Sequence, residues 1–240
     1  MLGKFIFLER CRGCHTFIRY GEQKETVCVP CWESIKEEPP IADYCDLSPS
    51  LWKPMQVSSG TKYDGLIKTL VYKFKYDDDL LIANDLVELL EVAWHQIAHM
   101  VEAEPVLVPI PLHWSRHFKR GYNQAEILSR QLSKVCRLQM DPKVLCRAKA
   151  TKAHHGLKRA ERLLNIQGAF RTNAKRASGK CILLVDDIHT SGATLAEAAR
   201  SVLDAGSHQV LALTVARATL SDAPQERSYS SATESALSAG

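Results

Sequence analysis

The chain has 240 residues, 45% of them hydrophobic and 24% charged, with a formal net charge of +4. That is enough chain for one good domain plus a small module, and the composition is that of a soluble globular protein. No stretch approaches the roughly 18 to 20 apolar residues of a membrane-spanning helix. Met1–Arg10 is too short and too soon charged for a secretory signal, so the expectation is a cytoplasmic protein whose cysteines are not paired as disulfides. The mild net charge is unevenly spread, with basic residues gathered between His113 and Arg176.

The first motif is a pair of matched knuckles, Cys11-x-x-Cys14 and Cys28-x-x-Cys31, separated by a polar, hairpin-like stretch. Two such pairs supply four thiolates at the spacing of a structural tetrahedral Zn²⁺ site, with no position left open for substrate. With the shell complete, His15 is a bystander, and Cys45 is given no role. Pro39–Pro54 reads as an irregular linker, with the domain boundary near residue 57.

Two amphipathic helices follow. Tyr63–Tyr76 carries Leu66, Ile67, Leu70, Val71 and Phe74 on one face, with Lys62, Lys68, Lys73 and Lys75 around it as a solvated rim. Asp77, Asp78 and Asp79 then precede a helix over Leu80–Met100, where acids in a first turn suit the helix dipole. Val106–His113 reads as a buried strand ending in a proline-shaped loop. It leads to Arg116, His117, Lys119 and Arg120, a cluster of cations suited to a pyrophosphate. Gly121-Tyr-Asn-Gln124 opens a helix over Ala125–Cys136. A second basic tract, Thr151–Arg162, precedes Asn165-Ile-Gln-Gly-Ala-Phe170, with a helix starting near Leu157.

The densest signal lies at Ile182-Leu-Leu-Val-Asp-Asp-Ile-His-Thr-Ser-Gly-Ala-Thr194. The run Cys181–Val185 lacks polar alternation and reads as a central strand covered on both faces. Residues 195–205 form a helix that stops at Ala205-Gly206. Between them, Thr190, Ser191, Gly192, Ala193 and Thr194 offer hydroxyls and open backbone N–H groups at a helix N-terminus, which suits a phosphate. Asp186 and Asp187 sit at the strand's carboxyl end, where open α/β sheets bind ligands. Carboxylates beside a phosphate make sense if they grip ribose hydroxyls or a Mg²⁺. Gln209–Arg217 is one more buried strand, and Thr219–Gly240, poor in apolar residues, reads as a disordered tail.

Two acids followed by Thr-Ser-Gly-Ala-Thr resemble the phosphoribosyl pyrophosphate (PRPP) loop of type I phosphoribosyltransferases. Pro109-Ile-Pro-Leu-His113, Arg120-Gly-Tyr-Asn-Gln-Ala125, Gly156-Leu-Lys-Arg-Ala-Glu-Arg162, Asn165–Phe170 and the double CxxC together resemble the ComF family of competence proteins in order and spacing. The resemblance implies an α/β fold of the type I phosphoribosyltransferase kind: a mainly parallel sheet flanked by helices, preceded by a small four-cysteine zinc ribbon. It implies a zinc-ribbon module and linker over residues 1–57, a phosphoribosyltransferase-like domain over 58–218, and the tail over 219–240. In that frame Thr190–Thr194 cradle the 5′-phosphate, Asp186 and Asp187 act as the catalytic acids on the ribose hydroxyls, directly or through Mg²⁺, and Arg116, Lys119 and Arg120 face the pyrophosphate, with Lys73 as an outlying candidate. His154 and His155 are placed to close over the site or to face solvent. No base pocket is legible.

Two functions follow and stay open. One is a transferase acting on a base, an amine or water. The other is a PRPP-binding factor in DNA uptake, working with competence proteins and with single-stranded DNA. Its DNA would lie on Lys143, Arg147, Lys149, Lys152, Lys158, Arg159 and Arg162, with Trp114 or Tyr122 for stacking.

Overall fold

The computed structural model describes residues 9–18, 24, 26–45, 54–112, 121–148 and 166–218. The amino-terminal strands β1 (Glu9–Arg10) and β2 (Phe17–Ile18) pair antiparallel around the first cysteine knuckle, and the second knuckle runs into α1 (Val29–Lys36). The main sheet is built from β3 (Ile41–Cys45), β4 (Met55–Lys62), β5 (Pro105–Pro109), β6 (Gln139–Met140), β9 (Cys181–His189) and β10 (Gln209–Arg217). Their spatial order is β3-β4-β10-β9-β5-β6, parallel throughout except for β3, which pairs antiparallel with β4. A separate ribbon pairs β7 (Leu145–Arg147) with β8 (Phe170–Thr172).

The unbroken apolar runs of β9 and β10 follow from burial on both faces, and two cores divide their side chains by parity. Leu183, Val185, Leu211, Leu213 and Val215 meet the helical layer of α2 (Gly65–Tyr76), α3 (Ile82–Ile97) and α4 (Gln124–Cys136). Ile182, Leu184, Val210 and Ala212 meet α6 (Ala193–Asp204) and the β7–β8 ribbon, beside the single-turn α5 (Ala174–Ala177). Each fully covered Leu, Ile or Phe contributes about 1.5–3 kcal/mol. At Gly60 on β4, an added Cβ would fall 2.2 Å from the Leu89 carbonyl oxygen, so only glycine lets α3 lie this close to the sheet.

Three elements differ from the sequence reading. Ile41–Cys45, expected as linker, is the edge strand of the main sheet. Its two exposed residues, Ala42 and Tyr44, alternate with more covered ones, a signal five residues long and hidden between prolines. The acids Asp77–Asp79 do not cap α3, which starts at Ile82 without a side-chain cap. Asp79 is instead ion-paired to Arg12 of the cysteine module at 2.9 Å. The strand expected over Val106–His113 ends at Pro109, although Ile110 N–H still donates to the Val185 carbonyl at 2.9 Å before Pro111 turns the chain away. The helix expected near Leu157 and the tail from Thr219 lie outside the described residues.

Candidate functional site

Parallel strands bring β4, β5, β9 and β10 to one edge of the sheet at their carboxyl ends, and the two acids of β9 lie there. Strand parity sends adjacent side chains to opposite faces. Asp187 turns to the helical layer, where Lys75 Nζ near the end of α2 donates to its Oδ1 at 2.8 Å. The side chains are covered, Lys75 12% and Asp187 13% exposed. Asp186 turns the other way, toward the β7–β8 ribbon, and its Oδ1 accepts the Asp187 backbone N–H at 2.9 Å. Burial and then the neighbouring Asp187 charge push the Asp186 carboxyl up to about 7, against the opposing charges of Lys75 and Arg147. Tyr63, just past β4, is 4% exposed, and burial together with Asp187 pushes its phenol up to about 12.

Beyond β9 the chain turns through Thr190 and Ser191 to Gly192, whose φ of +75° is the left-handed conformation that glycine adopts freely. Gly192 caps α6, and the first-turn N–H groups of this helix, from Ala193 and Thr194 onward, have no intrahelical carbonyl to bond. A Cβ on Gly192 would fall 2.4 Å from Cys45 Sγ and 3.0 Å from His189 Nε2. Cys45 also donates to the Gly192 carbonyl at 3.2 Å, so the edge strand β3 lies directly beneath the loop. Arg217 at the end of β10 holds the loop from its other side. Its guanidinium donates to the carbonyls of His189 at 3.4 Å and of Thr190, and to Asp43 on β3 at 2.7 Å. Buried beside that cation, the His189 imidazole is pulled down to about 4 and stays neutral.

The Gly121–Gln124 turn is fixed from both sides. Tyr122 Oη donates to the Phe74 carbonyl at 2.6 Å, while Asn123 donates to the Ile110 carbonyl at 3.0 Å and caps α4 through Ala125 N–H at 3.2 Å. The structure thus brings Asp186, Asp187, Thr190, Ser191, Gly192, Ala193 and Thr194 together. Arg116, His117, Lys119, Arg120 and Trp114 lie outside the described residues, as do Lys149, Lys152, His154, His155, Lys158, Arg159 and Arg162. Lys73 turns away to Asp77 at 3.7 Å, and Lys75 takes the place beside the acids. Arg147, read as part of a DNA-binding surface, lies over the Phe170 ring at 5.4 Å and bears electrostatically on Asp186. Sequence reading missed Lys75, Tyr63, Arg217, His189 and Cys45.

At the other end of α2 stands the cysteine module. The four Sγ atoms of Cys11, Cys14, Cys28 and Cys31 lie within 4.8 Å of one another, with Cys14 and Cys28 at 3.5 Å. Zn–S bonds of about 2.3 Å place tetrahedral sulfurs about 3.8 Å apart, so the cluster fits Zn²⁺. Backbone N–H groups of Gly13 and Cys28 each donate to Cys11 Sγ at 3.3 Å, support that a thiolate needs. The Thr16 hydroxyl and its backbone pull the Cys14 thiol down to about 6.

Comparison with known proteins decides the family. The description "Phosphoribosyl transferase domain" matches residues 102–236, more than half of the chain and the whole strand-end loop. The chain belongs to the phosphoribosyl transferase domain family. It is 26% identical to "Competence protein F" of Haemophilus influenzae over 87% of this chain and 90% of that one. It is 28% identical to "DNA utilization protein YhgH" of Escherichia coli K12 over 82% of this chain and 86% of that one. With "Competence protein ComFC" of Bacillus subtilis it shares 34% identity over 60% of this chain and 56% of that one. The family, the mostly parallel sheet and the four-cysteine cluster agree with the ComF resemblance drawn from the motifs. Among the described residues no helix is long and apolar enough to cross a membrane.

His189 gives the site a pH signature. Its imidazole is 3% exposed and titrates near 4 in the folded chain, against about 6.5 when unfolded. As pH falls through that window the unfolded chain binds a proton that the folded chain refuses. Stability therefore drops, by up to about 3 kcal/mol once pH is below both values. Urea denaturation at pH 7 and near pH 4.5 checks this: His189→Gln flattens the acid-side loss, and an unchanged slope in the variant contradicts it.

Proposed function

We propose that the strand end binds PRPP together with Mg²⁺, and that the protein serves the use of DNA taken into the cell, as the names of its relatives suggest. One observation carries the reading. Two carboxylates near the end of a central parallel strand stand two residues ahead of the small-residue loop that opens α6, and Lys75 is seated on the second of them. The loop supplies what a 5′-phosphate needs, N–H groups and hydroxyls at the positive end of a helix dipole. Arg217 and Cys45 set its backbone before any ligand arrives, which lowers the ordering cost of binding.

Asp186 and Asp187 point to opposite faces of the sheet, so together they span the two adjacent hydroxyls of a ribose rather than crowd one point. They are also hard oxygen donors of the kind Mg²⁺ selects, and Mg²⁺ bound there would supply charge neutralisation to the diphosphate. A protonated Asp186 donates to an oxygen; hydroxyl donors or a cation draw it back to the carboxylate form. Lys75 keeps the Asp187 carboxylate from turning away from the ligand. Arg116, Lys119 and Arg120 are assigned to the pyrophosphate end. Displacement at ribose C1 then requires holding the ring and neutralising the leaving group, both of which are positioning and electrostatic tasks. The acceptor is a base, an amine or water, and the alternative role is PRPP sensing without transfer.

Calorimetric titration of PRPP with Mg²⁺ tests the reading. The wild type binds saturably, Asp186→Asn/Asp187→Asn weakens binding by at least about tenfold, and Lys75→Met weakens it about threefold or more. A folded wild type that takes up no PRPP contradicts the proposal. Pyrophosphate release on adding candidate acceptors separates transfer from sensing.

The DNA part rests on the relatives' names and on the basic residues Lys152, Lys158, Arg159 and Arg162. Single-strand affinity should fall with salt at a log–log slope of about −0.7 per phosphate contacted. Changing these four residues to alanine should make that slope shallower. An affinity indifferent to salt, or a slope the substitutions leave unchanged, contradicts this assignment.

A further inference from the structure

Helix α2 touches the cysteine module at one end and the strand-end acids at the other. Leu66, in its first turn, lies against the first knuckle: a Cβ on Gly13 would fall 2.8 Å from Leu66 Cδ1 and 3.3 Å from Cys31 Sγ. Cys11 is fully buried and shares one core with Ile67, Leu70, Val71 and Phe74 of the same helix. Just past the far end of α2, Asp79 accepts from Arg12 Nε at 2.9 Å, and Arg12 lies between two of the four cysteines. Lys24 and Thr26, ahead of the second knuckle, reach Asp85 on the first turn of α3, Lys24 at 3.6 Å. Arg12 N–H also donates to the Thr26 carbonyl at 2.8 Å, which ties these two straps to each other.

The other end of α2 is tied as firmly to the site. Lys75 holds Asp187, and the Phe74 carbonyl accepts from Tyr122, which fixes the turn that opens α4. A twelve-residue helix is about 18 Å long and moves as one body, so a shift at Leu66 is felt at Lys75, and Asp79 anchors the turn that directly follows it. The straps depend on the fold of a segment too short to have a core of its own. A module of that size takes its shape from its metal.

We infer that α2 couples the four-thiolate site to the strand-end acids, so that the loading of the cysteine module sets the affinity of the PRPP site. The inference rests on the reading of the strand end as that site. With metal bound, the knuckles fix Arg12 and the surface that Leu66 packs on, and α2 holds Lys75 against Asp187. With metal lost, or with the thiols oxidised, Arg12 and the Leu66 seat are released, and the Lys75–Asp187 pair loosens. Linkage makes the effect reciprocal: PRPP with Mg²⁺ must tighten zinc binding by the factor by which zinc tightens PRPP binding.

The test uses the full chain in three forms: zinc-loaded wild type, wild type stripped by a chelator, and zinc-loaded Arg12→Ala, which keeps all four cysteines and removes the strap to Asp79. PRPP–Mg²⁺ affinity is measured by calorimetry, and zinc affinity by competition with a colorimetric chelator, with and without saturating PRPP. The coupling predicts PRPP affinity reduced about fivefold or more in the stripped protein and in Arg12→Ala, and zinc affinity raised by PRPP in the wild type. Should the stripped protein unfold, the Arg12→Ala and reciprocal zinc measurements decide alone. Equal PRPP affinity in loaded wild type and Arg12→Ala, with zinc affinity indifferent to PRPP, overturns the coupling and leaves the PRPP site standing. A zinc-loaded wild type that binds no PRPP overturns both.

Discussion

The ion pair between Lys75 and Asp187 is the contact on which the site depends. Both side chains are withdrawn from water, and a covered charge is tolerable only while its partner compensates it. The pair therefore fixes two things at once, the direction of the Asp187 carboxylate and the seating of the helix that carries the lysine. The neighbouring Asp186 has no such partner at bonding distance among the described residues, and burial beside a second carboxylate raises its pKa. One acid is neutralised by the protein, and the other keeps most of its burial penalty. Under the PRPP reading, that asymmetry leaves Asp186 free to meet a ribose hydroxyl or a cation.

The Thr190–Thr194 loop is held from beneath and from the side by elements remote in sequence. Cys45, on the edge strand β3, packs under Gly192, and Arg217, at the end of β10, takes the carbonyls of His189 and Thr190. The edge strand is therefore part of the site's foundation as well as of the sheet. Because Asp43 on β3 also binds Arg217, the strand and the loop share one guanidinium. Burial, and then that cation beside it, keeps the His189 imidazole neutral.

Much of this was legible in the sequence where the signal is contiguous. Asp186–Thr194 declares a strand end, two acids and a phosphate-type loop within nine residues, and the four cysteines declare their cluster by spacing alone. The buried strands β9 and β10 announced themselves as uninterrupted apolar runs. What stayed hidden comes from long-range geometry. Lys73 and Lys75 flank the buried stripe of α2 on opposite sides, and only the position of the sheet decides which flank meets Asp187. Arg217 ends a strand as many solvated arginines do, and Cys45 is a lone thiol in a five-residue strand between prolines. Arg147 belongs to a basic tract by composition, and only the fold brings its charge within electrostatic range of Asp186. Spacing along the chain carries none of these relations.

The measurement that reaches the central claim most directly is hydrogen exchange of the backbone amides with and without PRPP and Mg²⁺. The account predicts that the ligand slows exchange selectively at Thr190–Leu195, where the loop and the first turn of α6 present N–H groups to the 5′-phosphate. The amides of β6, at the far edge of the sheet, should exchange unchanged. Protection that appears elsewhere while Thr190–Leu195 exchange as before would contradict the assignment of this loop as the phosphate cradle.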